Sequence, residues 1–252
     1  GAIYLYSPYL LYDAHIRGSL PENVALAALP LALLFLRRAA LGNVRAIPPA
    51  ALAFAVFLFA HQGVALQAAP FIGLWGLFFE WRTSAALPRR RPVITISVLL
   101  LGLLLAAFFW LPALAESKFV QIWRGTANGG MAYTLNFFPV LDFLRFPRLP
   151  VDPALLNPPL ARSLPHAALL ALLALPFAWR ALSAELRRLA VFLLLAGLAG
   201  FCLMLPLARP LWDALPLLRL TLFPWRMLGP LSLFCALLAG IAIMYGTAFL
   251  VK

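Results

Sequence analysis

The sequence predicts an all-α integral membrane protein, a polytopic helical bundle of about seven transmembrane helices. Three observations carry this. Hydrophobic residues make up 64% of the 252-residue chain and charged residues only 11%, with a mean hydropathy of +0.95, where soluble domains are about 45–50% apolar and about 25% charged. The apolar residues gather in runs near the ~20 residues that cross a hydrocarbon core. The charges fall between those runs. The net charge of +12 is spread over these short connections and forms no basic stripe interleaved with aromatics, which argues against a nucleic-acid partner.

Taken in order, residues 1–21 are too interrupted to span, because Pro8, Asp13, Arg17, Gly18 and Pro21 would leave polar groups or broken backbone in lipid. They are placed at a membrane surface. Ser19-Leu20-Pro21-Glu22 reads as a capping box, so a helix is expected to start there and run to Leu36, bent by Pro30, before Arg37 and Arg38. A second span is expected from Pro48 to Ala60, broken by His61-Gln62-Gly63, and a third from there to Phe79. The fourth, Val93 to Leu111, is long and uninterrupted up to Pro112. A long extracytoplasmic loop, 114–165, follows. Spans five to seven are expected at His166 to Trp179, Leu189 to Leu207 and Met227 to Val251. The whole is read as one transmembrane domain, 1–252. Because the chain starts at Gly1 with no initiator Met, it is also read as a fragment of a larger protein.

Alternating the sides of seven spans gathers Arg37, Arg38, Arg45, Arg82, Arg89, Arg90, Arg91, Arg180, Arg187, Arg188 and Lys252 on one face, offset only by Glu80 and Glu185. The positive-inside rule makes that face cytoplasmic. The amino terminus, the His61 turn and the long loop then lie outside, and the carboxy terminus inside. Trp110, Trp123, Trp212 and Trp225 are expected in an outer aromatic belt, with Trp75, Trp81 and Trp179 in an inner one. The expected location is a plasma membrane, crossed several times.

Few residues offer chemistry. Cys202 and Cys235 lie in apolar runs, and His15, His61 and His166 are far apart, so neither a disulfide framework nor a metal site is expected. No cofactor is expected either. Asp13, Arg17 and Glu22 are spaced so that an arginine fork could hold a phosphate or sugar hydroxyls between two acids, or equally form a local salt bridge and helix cap. Glu116, one turn beyond Pro112, is a candidate catalytic acid or base at the membrane rim, as is Asp13; both could instead be plain polar residues. Asp142, in an aromatic-rich stretch, is read as part of an amphipathic surface segment. Arg226, in Phe223-Pro224-Trp225-Arg226, could pair with an anionic lipid head group or a lipid-linked pyrophosphate, or snorkel to the interface. His61 is a candidate at the turn between two spans, as ligand-binding residue or as hydrogen-bonded turn residue.

Several of these groups occur in a familiar order. Pro8-Tyr9, Asp13, Arg17-Gly18 and Glu22, the His61 turn, Phe109-Trp110-Leu111-Pro112 with Glu116 and Val120, Asn157-Pro158-Pro159 and Phe223-Pro224-Trp225-Arg226 together resemble bacterial polytopic membrane proteins of the YfhO-like group. Those proteins, also labelled pyruvoyl-tetrahydropterin synthase-related membrane proteins, are similar in build to the GT-C glycosyltransferases. The resemblance implies a GT-C-like membrane domain and an inverting transfer of sugar from a polyprenyl-phosphate donor on the outer face. It implies a lipid-phosphate site drawn from Arg17, Arg226, Glu22 and His61, with membrane lipid and the donor as partners. The catalytic carboxylate of such enzymes sits on the first outer loop, and no equivalent precedes the spans here. The chain is therefore expected to be inactive alone. The alternative is a non-catalytic membrane protein, a lipid or polymer transporter or an assembly scaffold.

Overall fold

The structure, a computed structural model, describes residues 1–83, 92–121, 131–138, 140–141 and 163–250, with backbone only at 81–83 and 247–250. Asp142, Arg89 to Arg91, Lys252 and most of the expected 114–165 loop lie outside the described residues. Those described are helical, without a strand among them. In chain order the helices are α1 (Ala2–Leu5), α2 (Pro8–His15), α3 (Leu20–Ala40), α4 (Ile47–Ala60), α5 (Gln62–Thr83), α6 (Val93–Leu105) and α7 (Ala107–Ala115). There follow α8 (His166–Leu172), α9 (Leu175–Ala178), α10 (Ala184–Leu203), α11 (Arg209–Ala214), α12 (Pro216–Arg219) and α13 (Leu228–Leu250).

Among the described residues four stretches are long and apolar enough to cross a membrane: Leu20–Ala40, Gln62–Glu80, Ala184–Leu203 and Pro224–Gly246. The pair Val93–Leu105 and Ala107–Ala115, bent by 67°, makes a fifth if counted as one span. By length and composition the described residues thus supply four or five candidate spans, and two of the expected seven differ from a single long helix. Helix α4 has 14 residues, about 21 Å at 1.5 Å per residue, against a core of about 30 Å. The expected span at His166 to Trp179 is divided into α8 and α9. Pro176, in the first turn of α9, has no amide to give and its ring clashes with the carbonyl four residues back, so α8 stops at Leu172.

The chain folds as two compact units, a terminal one (Gly1–Ser19, Asn136–Ala214, Pro224–Lys252) and a central one (Leu20–Leu135, Leu215–Phe223). In the central unit α3 packs on α4 and α5, and α6 lies against α4. Small residues set these approaches. A Cβ on Gly102 would come within 2.6 Å of the Phe54 ring and 2.9 Å of the Ala51 carbonyl oxygen; one on Gly76 would come within 2.6 Å of Thr95 Oγ1. Trp75 donates its indole N–H to the Leu33 carbonyl at 2.8 Å, tying α5 to α3.

Glu80 is not the loop acid that the charge count assumes. It is buried, and its carboxylate accepts from the amides of Ile94 (2.9 Å) and Thr95 (3.1 Å) and from the Thr95 hydroxyl (2.6 Å). It therefore caps, from α5, the open amides that begin α6, where a negative charge also meets the positive end of the helix dipole.

In the terminal unit α13 is the hub, with α1, α2, α8, α9 and α10 packed on it. Ser183 caps α10 by accepting from the Leu186 amide at 3.3 Å. Arg187 bends back, its Nε donating to the Trp179 carbonyl at 3.0 Å and an Nη to that of Arg180 at 3.2 Å. Trp212 and Trp225 are buried here, as Trp75 is in the central unit. Trp212 gives its N–H to Leu203 O at 3.0 Å, and Phe137 meets its ring edge-on. These three tryptophans are core residues whose indole N–H or ring finds a protein partner, so they do not form the expected aromatic belts.

Candidate functional site

Of the residues singled out in the sequence, Asp13, Arg17 and Arg226 belong to the terminal unit and Glu22, His61 and Glu116 to the central one. In the terminal unit, Ser7 caps α2, accepting from the Leu10 amide at 3.5 Å, with Pro8 pre-set for the first helical position. Asp13 and Arg17 lie one turn apart and form a salt bridge, the carboxylate fully buried and the arginine side chain 22% exposed. Gly18, at φ +62°, turns the chain so that the Ser19 amide returns to the Asp13 carbonyl at 3.0 Å, a conformation that costs glycine little. The guanidinium of Arg17 lies 4.9 Å from the centre of the Trp225 ring, and that of Arg226 lies 5.9 Å from it. Tyr9 meets the same indole edge-on, with centroids 6.3 Å apart. Two cations thus share one buried indole, each within the roughly 6 Å over which a ring quadrupole attracts a cation. On the same unit, burial pushes the Tyr4 phenol well above its ordinary range, which keeps it a neutral hydroxyl.

Asp13 holds Arg17 in place. A buried carboxylate paired with a guanidinium stabilises that charge, which fits an arginine-positioning role better than that of a catalytic base.

In the central unit Glu22 and His61 face each other, His61 Nε2 lying 3.5 Å from a carboxylate oxygen of the fully buried Glu22. His61 closes α4 in extended conformation (φ −155°) and opens α5, its Nδ1 accepting the Val64 amide at 3.2 Å. Because Nδ1 accepts, the ring proton of neutral His61 is on Nε2, toward Glu22. Both nitrogens are engaged by protein, so the ring offers no free lone pair to a substrate. Within the terminal unit Asp13 thus pairs with Arg17, and within the central unit Glu22 pairs with His61. Glu116 is exposed at the end of α7.

Sequence reasoning missed a polar clasp in the central unit. Gln67, buried within α5, donates through Nε2 to Thr221 Oγ1 at 2.8 Å and to the Phe223 carbonyl at 2.9 Å. The Thr221 hydroxyl in turn donates to Leu218 O at 2.7 Å. Between them Leu222 has φ +65° and the Phe223 amide bonds back to the Thr221 carbonyl at 2.7 Å, which is the left-handed γ-turn, rare and strained. The available signal was a glutamine inside an apolar span, since a buried amide in lipid calls for a partner.

Among the described residues no group of three or more His, Cys, Asp or Glu could hold a metal ion. Comparison with protein-family models, with curated proteins and with solved structures found no match to the chain.

Proposed function

We propose that this chain is the integral membrane part of a GT-C-type, YfhO-like protein of about seven membrane segments, in the bacterial plasma membrane. It takes up the phosphate of a polyprenyl-phosphate-linked sugar on the extracytoplasmic face. The observation that supports this reading is the pair of guanidiniums, Arg17 and Arg226, set against Trp225 in one unit. Asp13 neutralises part of the charge of Arg17 and fixes its fork. Trp225 supplies the apolar wall on which cations and an isoprenoid chain can both lie.

A second reading, a non-catalytic lipid or polymer carrier or scaffold, is favoured by the carboxylates themselves. Asp13 is committed to Arg17, and Glu116 stands exposed at a helix end. Phosphate binding is shared with a lipid carrier but not with a scaffold; sugar transfer belongs to the first reading alone.

The test is binding of a polyprenyl phosphate to the purified protein, wild type against Arg226→Ala, Arg226→Lys and Arg17→Lys, with folding followed by thermal unfolding. A charge-assisted contact contributes roughly 1.5–3 kcal/mol, so Arg226→Ala is expected to weaken binding about ten- to a hundredfold. Lysine keeps the charge without the planar fork and restores part of the loss. Wild-type affinity in a folded Arg226→Ala protein refutes the site.

A further inference from the structure

Helix α7 buries none of its residues. Phe108, Leu111 and Leu114 are 70%, 56% and 55% exposed, and beyond the helix Phe119 and Val120 are 76% and 57% exposed. Such a surface is apolar on every side and continuous with α6, itself a run of thirteen apolar or small residues.

The corner between the two helices is built. α7 leaves α6 at 67° around Ala106. The turn leaves the last carbonyls of α6 without helical partners, and Trp110 Nε1 donates to one of them, Leu103 O, at 2.8 Å. On the other side Phe59, in the last turn of α4, meets Phe108 at 5.5 Å and Phe109 edge-on at 5.1 Å between ring centroids. The bend therefore lies level with the end of α4. Polar residues begin as soon as α7 ends, with Glu116, Ser117 and Lys118, and the Lys118 amine sits 5.0 Å over the Phe119 ring. An aromatic cluster followed at once by charged side chains is the pattern of a membrane–water boundary.

Geometry decides between a continued span and an in-plane helix. Nine residues extend about 13 Å. With α6 along the membrane normal, a 67° bend reduces their progress in depth to about 5 Å, which fits within the interfacial layer, roughly 5–8 Å on each side of the hydrocarbon core. We infer that α7, with Phe119, is an in-plane interfacial helix whose partner is phospholipid, its side chains seated at the boundary of head groups and acyl chains.

The experiment uses the full chain with Cys202 and Cys235 replaced by Ser, reconstituted in phosphatidylcholine vesicles. A nitroxide is placed in turn at Leu111, Ala113, Leu114 and Ala115, all exposed positions, and at Leu100 and Leu104 of α6 for calibration. Depth is read from collision with oxygen against a water-soluble nickel complex. The expected result is oxygen-rich collision throughout α7, with depth oscillating at the 3.6-residue helical period about a constant level. A steady drift of about 1.5 Å per residue, continuing α6, would show a straight span and overturn the inference. So would collision with nickel alone at every position, or shielding from both reagents, which would mean that protein covers the helix.

Discussion

His61 turns its Nε2 to within 3.5 Å of the buried Glu22 carboxylate, while its Nδ1 receives the Val64 amide. One imidazole thus joins the first turns of α3 and α5 and caps the latter. Its work is structural and directional, since each nitrogen has a distinct protein neighbour.

Replacing it separates the two tasks. His61→Asn keeps a side-chain acceptor at the cap, whereas His61→Ala loses the cap, worth about 1 kcal/mol, and removes the imidazole beside Glu22. Denaturant unfolding in detergent is expected to show His61→Ala less stable by about 2–4 kcal/mol, with Asn recovering the cap portion. Equal losses in the two variants would mean that the Val64 bond contributes nothing.

The γ-turn at Leu222 makes an inverted prediction. A left-handed conformation costs a non-glycine residue about 1–2 kcal/mol, and Leu222 is only half-buried, so Leu222→Gly is expected to raise the thermal midpoint although it removes an apolar side chain. Leu222→Val, β-branched and less tolerant of positive φ, is expected to lower it. If glycine destabilises as much as valine, the strain is not there.

Much of the helical frame is legible from hydropathy and capping. Helix α3 starts at Leu20, directly after the Ser19 expected to open it, and α5, α10 and α13 fall where long apolar runs stand. The arginine site was half legible: Arg17 and Arg226 stood out as charges beside helix starts, but nothing in the sequence says that both meet Trp225. Three features were hidden for physical reasons. Hydropathy is blind to direction, so Val93 to Leu111 looks the same straight or bent at Ala106. A charge count cannot tell a solvated acid from a capping one, so Glu80 was assigned to a loop. Gln67 lies 154 residues from Thr221, and no local pattern announces so distant a partner.

Helix contact through glycine gives a sharper test of packing. Gly102→Ala sets a methyl group 2.6 Å from Phe54 and 2.9 Å from a backbone oxygen that cannot swing away, with an expected loss of about 1–3 kcal/mol. Gly240→Ala, on α13 with no atom within 4 Å of the added Cβ, is expected to be neutral or stabilising by up to about 1 kcal/mol through helix propensity. Thermal unfolding of the two proteins side by side checks the contrast, and similar midpoints would mean that α6 and α4 are looser than described.

The corner at Ala106 has a consequence for biosynthesis. Segments are admitted to the bilayer on hydrophobicity summed over about 19 residues, and α6 offers only 13. The apolar residues of α7 complete that window while the chain is still linear. Phe59, the aromatic partner of the turned helix, is made before Phe108. Residues that stay largely exposed in the finished fold thus complete the insertion window of the segment before them, and their hydrophobicity has a reason in the order of synthesis as well as in the final structure.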